Sequence, residues 1–283
     1  MAERILAPLR GVTIRAFRLA FAEPLRAGSF TEAITPFIPI LNGTDPLADR
    51  ELRAPAEEPL RLTPQVLTKD SQALEVALTR LKDAGYTTVD LNAGCPFPMV
   101  RNKGRGSGLL RTPDILRRLL DVGCAVLGPN AFSVKTRLGV ESPHELIELV
   151  PILNEYPLRF LTLHARTARQ MYTGTCHAQE AAEVQAALKV PFVANGDLPF
   201  SWESAPKTPQ MIGRGFIRAL GQRADIGELL DGYLDYSLKE LSGEHGVLGR
   251  FKELIAYWKD LPEWKNRWKV LRLARTCREL RVW

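Results

Sequence analysis

Short apolar, β-prone runs recur along this chain, and each is followed at once by polar or charged residues. Arg4–Ala7 meets Pro8, and Leu60–Leu67 carries Gln65 near its end. Thr87–Leu91 empties into Asn92-Ala93-Gly94-Cys95-Pro96. Ala131–Thr136 holds Lys135 and precedes Arg137, and Phe160–His164 precedes Arg166. Pro191–Ala194 leads to Asn195-Gly196-Asp197, and Gln210–Ile212 leads to Gly213-Arg214-Gly215. With Phe30–Thr35 these make eight strand candidates. Helical patterns alternate with them: one capped by Thr13, one over Lys69–Ala84 closed by Gly85, one capped by Thr112 with Pro113 at its first position, one opened by Ser142 and Glu145 as a capping box, and one over His177–Leu188. Eight strand-then-helix steps predict an α/β fold of the TIM (β/α)8 barrel type. Charged and amide groups are costly to bury singly, and such a barrel gathers them at one polar mouth.

Two stretches depart from the repeat. Between the seventh and eighth strands, the link from Leu198 to Pro209 contains Pro199, Pro206 and Pro209. It is too short and too proline-rich for a barrel helix, which predicts a thin or open wall there. From about Ala224 the pattern is purely helical, over Ile226–Leu241, Val247–Lys259 and Trp264–Leu280. On a helical wheel Val270, Leu273, Ala274, Cys277 and Leu280 share an apolar face, with Lys265, Lys269, Arg272, Arg275 and Arg278 opposite. The expected organisation is a barrel over residues 1–222 and a C-terminal all-helical domain over 223–283.

Composition narrows the function classes. Hydrophobic residues make up 45% of the chain and charged residues 25%, an ordinary globular balance. No run reaches the length of a membrane span, and the N-terminus has no apolar signal core, so a cytoplasmic protein is expected. The four cysteines and four histidines are scattered without metal-site spacing, and neither disulfides nor a metal site are expected. Net charge is +6, and residues 239–283 carry 11 Lys+Arg against 6 Asp+Glu. A basic tail on a nearly neutral body points to a polyanionic partner such as nucleic acid.

The chemistry-bearing stretch is Asp90–Leu110. Cys95 can donate a proton, act as a nucleophile or serve as a small buried hydrophobe. Arg101, Lys103 and Arg105 can meet phosphates, while Gly104, Gly106 and Gly108 let the loop move and let backbone approach closely. Lys135 and Arg137 share one strand face by period-two alternation, so two cations need an anionic partner, unless Lys135 pairs with Asp90. Asn195-Gly196-Asp197 and Gly213-Arg214-Gly215 end the last two strands, where barrels often hold a phosphate.

These motifs resemble those of the bacterial tRNA-dihydrouridine synthase family. The resemblance is carried by Ala7-Pro8-Leu9 with Gly11-Val12-Thr13, by Gln65, and by Asp90-Leu-Asn-Ala-Gly-Cys-Pro96. It continues through Lys103–Gly108, Val134–Gly139, Leu163–Thr167, Gln170–Gly174, Asn195–Asp197 and Met211–Gly215. The tail is similar in layout to the family's RNA-binding domain, and its Phe251-Lys252 region is most similar to the subclass acting on uridine 16. The resemblance implies FMN, NADPH as reductant, and reduction of the C5–C6 double bond of a tRNA uridine, with hydride from FMN and a proton from Cys95. It implies Ala7, Pro8, Leu9, Gln65, Lys135 and His164 around the isoalloxazine and ribityl groups. Asn195, Gly196, Asp197, Gly213 and Arg214 would surround the ribityl chain and phosphate. Asn92 and Arg166 would face the substrate. Arg101, Lys103 and Arg105, with Lys265, Lys269, Arg272 and Arg275, would hold the tRNA. A monomer with no membrane contact is expected. The family has a full helix between the seventh and eighth strands, and this chain does not. Two other readings stand beside this one. A barrel reducing a small molecule such as a pyrimidine base is disfavoured by the basic tail. An RNA binder that has lost its flavin is disfavoured by the presence of Cys95, Lys135, His164 and Arg214.

Overall fold

The computed structural model describes residues 3–281. Its strands are β1 (Arg4–Leu6), β2 (Phe30–Ile34), β3 (Ile38–Pro39), β4 (Arg61–Thr63), β5 (Gln65–Leu67), β6 (Val89–Ala93), β7 (Phe132–Gly139), β8 (Leu161–Thr167), β9 (Phe192–Asn195) and β10 (Gln210–Ile212). All pairings are parallel, in the order β3-β5-β6-β7-β8-β9-β10-β1-β2-β4. β4 and β5 are one strand broken at Pro64, which has no N–H to give to the ladder. Its first half pairs with β2 and its second with β6. Thr35 bridges the break, donating its N–H to Thr63 O and accepting from Gln65 N, each at 3.0 Å. β3 continues the line of β2 beyond Pro36 and pairs with β5. The two ends of the strand order therefore meet on one interrupted strand, and the sheet closes into an eight-stranded barrel.

The helices that position the site are α1 (Arg15–Ala20), α2 (Ala22–Ala27), α3 (Ser71–Asp83), α4 (Pro98–Arg101), α5 (Pro113–Leu127), α6 (Val150–Leu153), α7 (Ala178–Ala187) and α8 (Arg214–Leu220). Local details differ from expectation where tertiary contacts compete. Thr13 does not cap α1; its Oγ1 donates to Ala7 O at 2.9 Å and accepts from Leu9 N at 2.8 Å, fastening the loop after β1. Thr112 makes no capping bond, and Asp70 caps α3. Glu145 accepts from the N–H groups of Val140, Glu141 and Ser142 and so holds the turn after β7 rather than a full helix.

The link between β9 and β10 holds no helix, as its prolines dictate. The wall is nevertheless closed. Phe200 stacks on Phe30 (5.9 Å between ring centroids) and meets Phe216 edge-on (5.2 Å), and Trp202 packs against both Phe200 and Phe216. Arg4 locks this plug: its guanidinium lies over the Phe200 ring and donates to Gly28 O (2.7 Å), Ser201 O (3.1 Å) and Ser204 O.

The tail comprises α9 (Ile226–Glu240), α10 (Glu244–Ile255) and α11 (Lys265–Leu271). It shares one apolar core with α1, α2 and α8, in which Phe17, Phe21, Tyr233 and Phe251 meet ring to ring. Two indoles bond it to the barrel, Trp258 Nε1 to Ile217 O (2.6 Å) and Trp264 Nε1 to Gly221 O (2.7 Å). The third tail helix is shorter than its pattern suggests. It ends at Leu271, and Lys252 Nζ on Ala274 O with Glu244 on Cys277 N redirect the chain. Ala274, Cys277 and Leu280 reach the core, but Val270 and Leu273 are 61% and 67% exposed and do not join it.

Replacing Phe200 by Ala should remove the plug's centre and destabilise the protein by about 2 kcal/mol, lowering the melting temperature by roughly 5 °C. An unchanged melting curve would mean that the wall is held by Arg4 and Trp202 alone.

Candidate active site

The C-terminal ends of the strands surround one cleft, walled by Ala7, Pro8, Leu9 and Arg10 after β1 and by the Asn92–Phe97 turn after β6. Lys135 and Arg137 of β7, His164 of β8, Tyr172, Asn195–Leu198 after β9 and Gly213–Gly215 after β10 complete it. This is where a parallel barrel presents its loops.

Cys95 is 6% exposed at the cleft. Its backbone is pinned on both sides. Cys95 N–H donates to Asn92 Oδ1 at 2.8 Å, and its carbonyl accepts from Ser107 N (3.2 Å) and Ser107 Oγ (2.9 Å). The basic glycine loop is therefore folded rather than free. It forms α4 and a 3₁₀ turn over Gly106–Arg111, whose first five residues are buried. Gly106 has φ +57°, and a Cβ there would lie 2.8 Å from Cys95 Cβ. A Cβ on Gly108 would lie 2.4 Å from Arg101 O. Both glycines serve close packing. Lys103 is exposed, while Arg101 and Arg105 are half-buried, each with a buried Nε that has no hydrogen-bond partner.

Burial pushes the Cys95 thiol up, against the opposing pull of Arg137, Arg10 and Lys135, so it keeps its proton at neutral pH. Lys135 Nζ reaches Asn195 Oδ1 at 3.1 Å, and Asn195 Nδ2 donates to Met211 O at 2.7 Å. No ion pair joins Lys135 to Asp90, which accepts instead from Ser133 and Gln65. Burial and the neighbouring Arg137 lower the Lys135 ammonium to about 8. Arg137 donates to the carbonyls of Gly94 (2.9 Å), Thr167 (3.0 Å) and Met171 (2.7 Å), and burial lowers it to about 10. His164 is held strongly neutral by burial and by Arg137, Lys135, Arg166 and Arg214. Its Nε2 lies 3.4 Å from Arg166 NH1. A guanidinium only donates, so this contact leaves Nδ1 as the ring's proton carrier.

Asp197 has φ +47° and is gripped by Arg166 and Arg214 together. Burial favours its neutral form, but the two arginines pull the carboxyl below its usual range. Arg166 also donates to Thr173 O (3.2 Å) and Gly174 O (2.7 Å) and is 3% exposed. It is spent inside the protein and does not face a substrate. Gln65 is fully buried beneath the cleft and bonds to Asp90 and Asn92. Asn92 lines the cleft, with both polar ends already engaged in the turn. Gly196 has φ +113°, and a Cβ there would come within 2.9 Å of the His164 ring.

Tyr172, from the Gln170–Gly174 motif, lies between the guanidinium groups of Arg137 (5.3 Å) and Arg214 (5.4 Å), and two residues that no expectation named join it. Phe97, 6.4 Å from the Tyr172 ring, and Arg10, over Phe37, also reach the rim. Their one signal in the sequence is that each sits a few residues beyond a strand end. Lys265, Lys269, Arg272 and Arg275 are each exposed on the tail, as are Val270 and Leu273 among them. Among the described residues, no three His, Cys, Asp or Glu side chains gather to hold a metal, and no helix is long and apolar enough to cross a membrane.

The sequence profile of the family described as Dihydrouridine synthase (Dus) matches residues 5–215. tRNA-dihydrouridine synthase B of Xanthomonas campestris is 33% identical over 210 residues, which cover 74% of this chain and 60% of that relative. This chain thus spans about three fifths of that relative's length. tRNA-dihydrouridine(16) synthase of Pseudomonas putida is 29% identical over 238 residues, 78% of this chain and 71% of that one. Among solved structures, an old yellow enzyme homologue from Zymomonas mobilis shares the fold, with TM-score 0.56 and 14% identity, covering 76% of this chain and 85% of that one.

Gly106→Ala should cost roughly 1–3 kcal/mol, from left-handed strain and contact with Cys95. Denaturant unfolding measures it. A variant as stable as the parent would show that the turn has room to shift.

Proposed function

The chain belongs to the dihydrouridine synthase family, and from that premise we propose that it is an FMN-dependent reductase of a tRNA uridine, recharged by NADPH. The observation that carries the reading is an uncharged thiol set in a cleft whose cations outnumber its carboxylates. Arg10, Lys135, Arg137 and Arg214 converge there, and Asp197 is the one acid among the described residues that lines it.

The donor set suits a flavin mononucleotide. Lys135 and Arg137 make no ion pair with a carboxylate among the described residues, which fits an anionic occupant. Ala7, Pro8 and Leu9 offer an apolar wall, and Gly213 and Arg214 stand after the last strand, where a phosphate can meet backbone N–H groups and a guanidinium. Asn195, Gly196 and Asp197 shape the same end. Lys135 and His164 would lie along the ring and ribityl chain, with Gln65 acting from one layer below. Such a cofactor, when reduced, supplies hydride to C6 of the uracil ring.

The chain's own part is the proton and the placement. Cys95 keeps its proton in the resting site and can release it toward C5, because Arg137, Arg10 and Lys135 stabilise the thiolate that remains. His164, neutral, can offer Nδ1–H without adding charge. Tyr172 and Phe97 present aromatic faces at the entrance, suited to a base drawn out of its stack. Lys103 and the exposed tail cations Lys265, Lys269, Arg272 and Arg275 suit RNA phosphates, and Val270 and Leu273 suit the sugar and base surface between them.

Dihydrouridine formation on tRNA lacking the modification tests the reading, and mapping the product identifies the uridine. Cys95→Ala should retain flavin and bind tRNA but lose at least 100-fold in turnover, in line with the roughly 10²–10⁴ of a positioned acid. Undiminished turnover would remove Cys95 from the reaction. Lys135 adds a pH signature. An anionic flavin favours the charged ammonium, so FMN affinity should hold steady below pH 8 and weaken by up to about tenfold per unit above it. Lys135→Met should bind more weakly, with no such slope. Wild-type affinity that stays flat from pH 7.5 to 9.5 would place the anion elsewhere.

A further inference from the structure

A buried hydrogen-bond chain runs from the Cys95 turn to Asp90, and its direction is fixed. Asn92 Oδ1 accepts from the backbone N–H groups of Cys95 (2.8 Å) and Gly94 (3.2 Å). A backbone N–H can only donate, so that atom of Asn92 is an oxygen and its Nδ2 faces Gln65 Oε1, at 2.8 Å. Gln65 then has only Nε2 to offer Asp90 Oδ2, also at 2.8 Å. The other Asp90 oxygen accepts from Ser133 Oγ at 2.6 Å. Every donor points toward Asp90, which accepts at both oxygens, and the Gln65 end of the chain requires an acceptor there. Gln65 and Asp90 are fully buried, and Asn92 is 7% exposed, so solvent cannot stand in for a missing member.

We propose that Asp90 is a positioning residue for Cys95: by accepting from Ser133 and Gln65 together, it sets the amide orientation of Gln65 and then Asn92, and so the turn that presents the thiol to the cleft. The inference rests on the reading of Cys95 as proton donor and extends it two residues beneath the site. The groups facing Asp90 agree with this role. Lys135 on β7 and Arg159 before β8 favour its charged form, while Glu32 on β2 opposes it. Burial raises the carboxyl to about 6, so it is ionised at neutral pH. A carboxylate at position 65 would instead set two acceptors face to face, and the mismatch would pass to Asn92 and the turn.

A pair of substitutions separates orientation from mere packing. Gln65→Glu alone breaks the polarity once both carboxyls are ionised, because two acceptors then face each other; while they share a proton the polarity survives. Adding Asp90→Asn restores it with the carboxylate moved one link along, since the introduced amide donates to the introduced carboxylate, which still accepts from Asn92. Three readouts are taken on the full chain: bound flavin by absorbance, dihydrouridine turnover, and the alkylation rate of Cys95 followed by peptide mass spectrometry. Q65E is expected, as pH rises toward 9, to lose at least tenfold in kcat relative to wild type and to change the Cys95 alkylation rate at least threefold. The double variant is expected to recover most of both changes. A double variant no better than Q65E in either readout, or a Q65E profile parallel to wild type up to pH 9, overturns the proposal. If Q65E does not fold, Asp90→Ala carries the test, since it takes the acceptor from Gln65 Nε2; a Cys95 alkylation rate equal to wild type then overturns the proposal. Alkylation needs no RNA. A wild-type protein that makes no dihydrouridine but shows the expected alkylation pattern would sink the uridine-reductase reading and leave the positioning role standing.

Discussion

Charge at the two ends of the barrel is handled in opposite ways, and the site depends on that difference. At the N-terminal end, buried Glu32 is satisfied by both nitrogens of Arg159 (2.7 and 2.6 Å), by Arg61 (2.5 Å) and by Thr63 (2.6 Å). At the C-terminal end, Arg166 and Arg214 share Asp197, while Lys135 and Arg137 make no ion pair with a carboxylate among the described residues and bond instead to Asn195 and to backbone carbonyls. Burial, reinforced by this surplus, keeps His164 neutral and weakens the grip of Lys135 on its proton, while Arg166 and Arg214 hold Asp197 ionised against burial. The opposite end of the barrel carries no such imbalance, because the buried carboxylate there is matched by two arginines and a hydroxyl.

Much of this was legible in the chain. Strand ends announced themselves because amides and cations follow them, and Cys95, Lys135, His164, Asn195 and Arg214 do converge. The missing helix between β9 and β10 was readable from its prolines, but its replacement was not: nothing local says that Phe200 folds back onto Phe30 and Phe216. Glycine was ambiguous for a physical reason. The same absence of Cβ serves a moving loop and a crowded one, and only the contact with Cys95 shows which applies to Gly106. Gln65 and Arg166 sit at strand ends that open on the cleft yet lie buried behind its lining, a depth that the sequence does not show because strand position gives direction without distance. The tail periodicity misassigned Val270 and Leu273 because a helical wheel presumes that the helix continues, and this one ends at Leu271.

The sequence boundary between barrel and tail is a change of pattern, and the packing does not follow it. Buried Arg18 ties α1 to the 46–60 segment through Glu51 and Glu58, each at 2.8 Å. The opposite face of α1 packs against α9 through Phe17 and Tyr233. Arg15 reaches both Glu57 and Glu240. One short helix thus joins a loop of the barrel to the tail, and loss of any of these contacts is felt in both.

The two indole bonds from Trp258 and Trp264 end on the last barrel helix, whose first residue, Arg214, grips Asp197 at the cleft. Tail and cleft are therefore tied to the same seven-residue rod. The span from the exposed tail cations to the cleft thus has that rod as its common anchor, and whatever displaces the rod is registered at the tail and at the cleft alike.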